Sequence, residues 1–295
     1  MNDDQFKKVR SGQSFIAALD QSGGSTPSAL KVYGIDEHQY SDDDEMFDLM
    51  HAMRSRIITS PSFKGDQILG AILFEDTVDR DIDGRRVVSY LWDIKRIVSF
   101  LKVDKGLVDE HDGVQIMKPI PTLASLLSRA TRCGVFGTKM RSFIKLANRT
   151  GIKAVVDQQF HLANQIIASG LVPIIEPEVD IRSTEKRKAE QILKESITEQ
   201  LGQLASHHQV ILKLSLPDVD DFYSDLMRHP NVLRVLALSG GYRQREADVR
   251  LSANHGLVAS FSRALTEGLS VHQTDAEFDA TLQHSIAGIF EASLT

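Results

Sequence analysis

The stretch Val210-Ile211-Leu212-Lys213-Leu214-Ser215-Leu216-Pro217 places a primary amine inside an apolar run. A strand alternates its side chains, so Val210, Leu212, Leu214 and Leu216 share one face and Ile211, Lys213 and Ser215 the other. Apolar residues of both parities mark a strand covered on both sides, where an unpaired ammonium is costly. Lys213 then has two readings. In the plainer one it is a buried cation paired with a carboxylate. In the sharper one it is held partly neutral, so that its nitrogen attacks a carbonyl and forms an imine. Further charged groups sit where apolar runs end: Asp20 after 15–19, Lys102 and Asp104 on one face, Lys139 and Arg141 on one face, Glu176 and Glu178 likewise, and Arg263 after 256–262.

The elements that must position these groups can be read from periodicity. Segments 15–20, 68–74, 97–106, 134–141, 171–179, 210–216, 232–238 and 256–262 read as strands, and 46–58, 87–94, 122–131, 148–168, 184–206 and 275–292 as helices. Eight strands alternating with helices, each closing on polar residues, predict an α/β fold: a single (β/α)8 barrel of the TIM type over residues 1–295, with its site at the C-terminal ends of the strands. A doubly wound open sheet would gather chemistry at one switch point instead. The Gly- and Pro-containing loop 106–121 is long enough for a lid, or is a surface excursion.

Projected inward, Asp20, Lys102, Lys139, Arg141, Glu176, Glu178, Lys213 and Arg263 are poor packing material and point to a charged ligand. Ser239-Gly240-Gly241 and Ser260 to Arg263 follow strands seven and eight, the usual barrel position for phosphate. The Ser22 to Ser25 loop, with Lys102, is placed to hold a second anion across the mouth. Two anion sites flanking a lysine suggest a bisphosphate.

Composition sets the bounds. A hydrophobic share of 42% and a charged share of 25% suit a soluble globular chain, and no apolar run nears the roughly 20 residues of a membrane span, so no membrane partner is expected. A net charge of -6 argues against a nucleic-acid surface. Met1-Asn2-Asp3-Asp4 does not read as a signal peptide, and the lone Cys133, expected as an inert buried thiol at a strand's start, suits a reducing, cytoplasmic compartment. The ten histidines form no HxH or HExxH pattern, and His207-His208 would face opposite sides of a strand, so neither a metal nor another cofactor is expected.

The ordered set Ala18-Leu19-Asp20-Gln21-Ser22, Lys102-Val103-Asp104-Lys105-Gly106, Lys139-Met140-Arg141, Glu176-Pro177-Glu178, Leu212-Lys213, Leu238-Ser239-Gly240-Gly241 and Ser262-Arg263-Ala264-Leu265 resembles the class I fructose-bisphosphate aldolases of the shorter bacterial type, from end to end. The resemblance implies reversible cleavage of fructose 1,6-bisphosphate to dihydroxyacetone phosphate and glyceraldehyde 3-phosphate, in glycolysis and gluconeogenesis, by a homo-oligomer. It implies Lys213 as the imine-forming lysine, Glu176 as proton donor and acceptor with Glu178 beside it, Asp20 near the sugar hydroxyl, and Lys139 beside the imine carbon. Ser239, Gly240, Gly241, Ser262 and Arg263 would bind one phosphate; Ser22, Ser25 and Lys102 would line the other end, and Arg141 would support. An iminium nitrogen accepts the electron pair of a broken carbon–carbon bond. Burial and a second ammonium on Lys139 are expected to favour the neutral amine first required. Other imine-forming barrels, a transaldolase or a deoxyribose-phosphate aldolase, are the alternatives, with a non-catalytic phosphosugar-binding barrel behind them. Longer relatives end in a tyrosine that assists proton exchange, whereas this chain ends Ala292-Ser293-Leu294-Thr295, so its tail is expected to be inert.

Overall fold

Eight parallel strands form a nearly closed barrel in chain order: β1 (Phe15–Leu19), β2 (Ile68–Leu73), β3 (Val98–Lys102), β4 (Gly137–Ile144), β5 (Val172–Val179), β6 (Val210–Ser215), β7 (Val232–Leu238) and β8 (Val258–Ala259). The computed structural model describes residues 2–294; Met1 and Thr295, the ends of the terminal segments read above, lie outside them. Every residue of β1, β2 and β6 is buried, as two-faced apolar strands require. The ring closes through the Ala18 amide donating to the Phe261 carbonyl at 3.3 Å, beside β8, which spans two residues and is shorter than the expected 256–262.

Register decides what lines the interior. Ala18, Ile72, Phe100 and Gly137 lie in one row across β1 to β4, and two residues further on Lys102 faces Lys139. Phe100 fills the floor below these lysines because its neighbours lack side chains: a Cβ on Gly70 or Gly137 would lie 2.9 Å from the ring. Below it, helix α1 (Asp3–Ser11), capped by the Asn2 carboxamide oxygen, is tied across the barrel's lower end by Arg234, whose guanidinium donates to the Val9 and Gly12 carbonyls.

The covering helices are α2 (Thr26–Tyr33), α3 (Asp43–Thr59), α4 (Leu123–Arg132), α5 (Arg149–Ala168), α6 (Lys186–Leu201), α7 (Gln244–Ser252) and α8 (Asp275–Ala292). None is long and apolar enough to cross a membrane. Helix α6 is shorter than the 184–206 pattern: an Asp180 carboxylate accepts the Arg182 amide in a turn that delays its start, and Gly202 caps its end. Strand β4 starts three residues later than expected, since Val135 still bonds back to Ala130 of α4. Cys133 therefore caps α4 and is half-buried, instead of opening a strand. His207 and His208 lie in the turn before β6 with rings 4.4 Å apart, not on a strand.

Loop 106–121 is an antiparallel excursion, not a free lid. Val108 and Lys118 amides bond to Ile116 and Gly106 carbonyls, Val114–Gln115 pairs with β4, and Gln158 of α5 holds both backbone groups of Met117 at 2.9 Å. The tail is built in as well: the Ser293 hydroxyl is buried, accepts the Ala259 amide at 3.2 Å and donates to the Ile289 carbonyl.

Candidate active site

The barrel interior brings six charged side chains into one network above Phe100. Lys213 Nζ lies 3.0 Å from Glu176 Oε1, and Glu176 Oε2 lies 3.1 Å from Lys139 Nζ. Lys139 also reaches Asp20 at 2.7 Å and Asp104 at 3.8 Å, and Asp104 holds Lys102 at 2.7 Å. Lys213, Lys139, Glu176 and Asp104 are each at most 5% exposed. Pairing produces this proximity: Ile174 stands opposite Ile211, so Glu176 and Lys213, two residues further along β5 and β6, come together. Three carboxylates balance three ammonium groups, which makes such burial tolerable.

The charges set one another's protonation. Burial alone would push the Asp20 carboxyl up, but the ammonium groups of Lys139, Lys213 and Lys102 outweigh it and hold the group at about 2. Burial would likewise discharge Lys139, yet Asp20, Glu176 and Asp104 outweigh it and hold the ammonium well above the usual lysine range. Lys139 is a fixed cation. On β4 and β5, Arg141 is bound to Glu178 and lies 5.2 Å from the Phe143 ring centre, so this pair stands beside the network and not within it.

The phosphate-type loops meet at the β7–β8 edge. Gly240 and Gly241 adopt φ of 59° and 119°, which disfavours side chains, and a Cβ on Gly241 would lie 3.3 Å from Arg263 Nη2. The guanidinium thus lies against the glycine backbone, with Ser239 buried beside it. The Ser262 hydroxyl accepts from Gln21 Nε2 at 2.7 Å, which ties the start of the β1 loop to the β8 loop. Within the β1 loop, Ser25 Oγ accepts the Ser22 amide and donates to the Ser22 carbonyl, both at 2.9 Å, and Lys102 is turned to Asp104.

The family described as fructose-bisphosphate aldolase class-I matches residues 7–219, which spans β1 to β6 and so both Lys213 and Glu176. This chain belongs to the class I fructose-bisphosphate aldolases. A class 1 fructose-bisphosphate aldolase of Synechocystis sp. is 62% identical over 294 residues, covering all of this chain and 98% of its own. One from Clostridium acetobutylicum is 59% identical over the full length of both. These relatives also cover β7 and β8, beyond the family match. A solved fructose-bisphosphate aldolase from Plasmodium falciparum superposes with a TM-score of 0.75 at 20% identity, covering 99% of this chain and 93% of its own, and shares the fold.

Three side chains of this aldolase were given no role by sequence. Asp104 bridges Lys102 and Lys139; its place on the Lys102 face was the available signal. Arg54 of α3 is wholly buried, its Nη1 donating to Thr77 Oγ1 at 2.7 Å and its Nη2 to the Gln21 carbonyl. Burial pushes this guanidinium down to about 10 against the pull of Asp20 and Asp76. A charge within the Met46, Met50, Met53, Ile57 stripe was its signal. Gln21 carried none.

Proposed function

We propose that the network cleaves fructose 1,6-bisphosphate reversibly to dihydroxyacetone phosphate and glyceraldehyde 3-phosphate through an imine on Lys213, as a glycolytic and gluconeogenic enzyme. The observation that carries this is the 3.0 Å contact between Lys213 and Glu176 in a buried site. Glu176 takes a proton from Lys213, and the freed nitrogen attacks the ketose carbonyl. The attacking nitrogen passes one proton to the carbonyl oxygen, Glu176 returns the other to the hydroxyl so formed, and water leaves as the iminium forms. Asp20 accepts the proton of the sugar hydroxyl, the adjacent carbon–carbon bond breaks, and its electron pair moves to the iminium nitrogen as an enamine.

Asp20 is paired with Lys139 at 2.7 Å, and substrate that displaces this ammonium frees the carboxylate to accept the proton. Besides Asp20, Lys139 faces Glu176 at 3.1 Å and Asp104 at 3.8 Å. Its charge then stabilises oxyanion character near the imine carbon. Enamine protonation falls to Glu176 or a water it orients. Ser239, Gly240, Gly241, Ser262 and Arg263 hold the ketose-side phosphate, Ser22, Ser25 and Lys102 line the far end, and Glu178 keeps Arg141 in place at the rim. Residues 1–295 act as one barrel domain, self-associated and cytoplasmic, as the single cysteine suits.

Purified protein should release the two triose phosphates in equal amounts. Glu176→Gln should slow single-turnover imine formation by about 10²–10⁴-fold with little change in affinity. A normal rate of imine formation in that variant contradicts the role.

A further inference from the structure

The seam between β1 and β8 holds polar groups that the cleavage chemistry does not use. Gln21 follows Asp20 directly, and its Nε2 donates to Ser262 Oγ at 2.7 Å. Its backbone carbonyl is gripped by Arg54, whose other nitrogen holds Thr77 beyond the end of β2. Gln21 Oε1 and Ser260 Oγ are buried on the same seam without a hydrogen-bond partner. A serine hydroxyl has one proton to give and two lone pairs to accept with. Because Ser262 already accepts from Gln21, its proton is free for an anion, and the accepted bond fixes the direction in which it points.

We propose that Gln21, anchored by Arg54, is a positioning residue that orients the Ser262 hydroxyl as a donor to the ketose-side phosphate and couples phosphate occupancy to the strand end carrying Asp20. This rests on the assignment of Ser262 and Arg263 to that phosphate. Gln21 acts through Ser262 and touches no substrate atom. Removing its amide leaves the hydroxyl free to turn to other acceptors. Replacing it by glutamate reverses the bond, since a carboxylate accepts the hydroxyl proton and adds a negative charge next to the phosphate.

The experiment is a double-mutant cycle on dihydroxyacetone phosphate affinity, by calorimetry, with Gln21→Ala, Ser262→Ala and the double variant. Ser262→Ala should weaken binding about 10–100-fold, as loss of one hydrogen bond to a charged group does, and Gln21→Ala should weaken it by a smaller factor. The double variant should bind no more weakly than Ser262→Ala alone. Gln21→Glu should bind more weakly than Gln21→Ala, with KM for the bisphosphate raised more than kcat is lowered. Losses that multiply in the double variant overturn the proposal, as does a Gln21→Glu protein that binds like wild type. If the wild-type protein binds dihydroxyacetone phosphate but Ser262→Ala loses nothing, the phosphate assignment fails with it. If wild type binds but only the coupling is missing, the assignment stands and the role of Gln21 does not.

Discussion

Two buried lysines follow the same barrel wall and meet different fates. Lys186, at the start of α6 outside the barrel, has its ammonium shared among Glu190 at 2.5 Å, Asp218 at 2.8 Å and the Leu216 carbonyl at 2.9 Å. Lys213, inside the barrel, meets one carboxylate, Glu176, which is itself shared with the fixed cation Lys139. A lysine with every proton engaged is a structural tie, here joining the β6 exit to α6. One facing a single shared carboxylate can pass its proton on and present a lone pair. The balance of charge differs too: three ammonium groups meet three carboxylates around Lys213, whereas one ammonium meets two carboxylates around Lys186. Accordingly Asp20 is held down by three lysines, while burial, only partly offset by Lys186, pushes Glu190 up.

Lys213→Met is the sharpest way to break this contrast. It should remove cleavage by about 10⁴-fold or more, since the covalent route is gone. Stability should fall less than in Lys186→Met, because Glu176 keeps Lys139 whereas Glu190 and Asp218 would lose the ammonium they share. Lys186→Met should do the reverse, leaving kcat of the folded protein near wild type while costing about 3–5 kcal/mol for stranding Glu190 and Asp218. Urea titration with initial rates on both variants checks the pair. If Lys186→Met lost turnover without losing stability, the division between the two lysines would collapse.

Acid should separate the clusters next. Asp20 is lower in the folded chain than its ordinary 3.8, so its contribution is present above about pH 4 and lost as pH falls through about 2. Relative to Asp20→Asn, wild type should lose on the order of 2 kcal/mol across that window. Glu190 is raised, so its contribution has the opposite sign: it is present below its ordinary 4.5 and lost as pH rises above that. Glu190→Gln should therefore gain on wild type with rising pH. Stability measured from pH 2 to 7 tests both, and parallel slopes would show that the two sites share one electrostatic character.

The smallest effect belongs to the C-terminal residues, of which Ser293 bonds to Ala259 and Ile289, away from both clusters. Removing Leu294 and Thr295 should leave cleavage, and tritium exchange at dihydroxyacetone phosphate, within about twofold. Removing Ser293 as well should cost stability, because its hydroxyl holds the Ala259 amide of β8. A large loss of exchange from the shorter truncation would bring the tail into the chemistry.

Alternation along single strands was enough to face Lys213, Glu176 and Lys139 inward, because a period of two is a local property. It could not say that Glu176 would touch both lysines, which depends on Ile174 standing opposite Ile211. Asp20 was legible as a strand end, but its three cations come from β3, β4 and β6. Arg54 and Gln21 meet across 33 residues, through a backbone carbonyl that no side-chain pattern reveals. The proposed second anion loop was read from Ser22 and Ser25 as residue types, yet the Ser25 hydroxyl is occupied within its own turn. Cys133 and the ends of α6 and β8 were misplaced where turns, not apolar periodicity, set the boundary.

Lys213, and no other lysine of the network, is expected to become covalently bound to substrate. Borohydride reduction of the protein with dihydroxyacetone phosphate, followed by peptide mass spectrometry, measures this directly. One reduced adduct on the peptide containing Lys213, absent in Lys213→Met, is the predicted result. An adduct on Lys139 or Lys102, or one that survives in Lys213→Met, would contradict it.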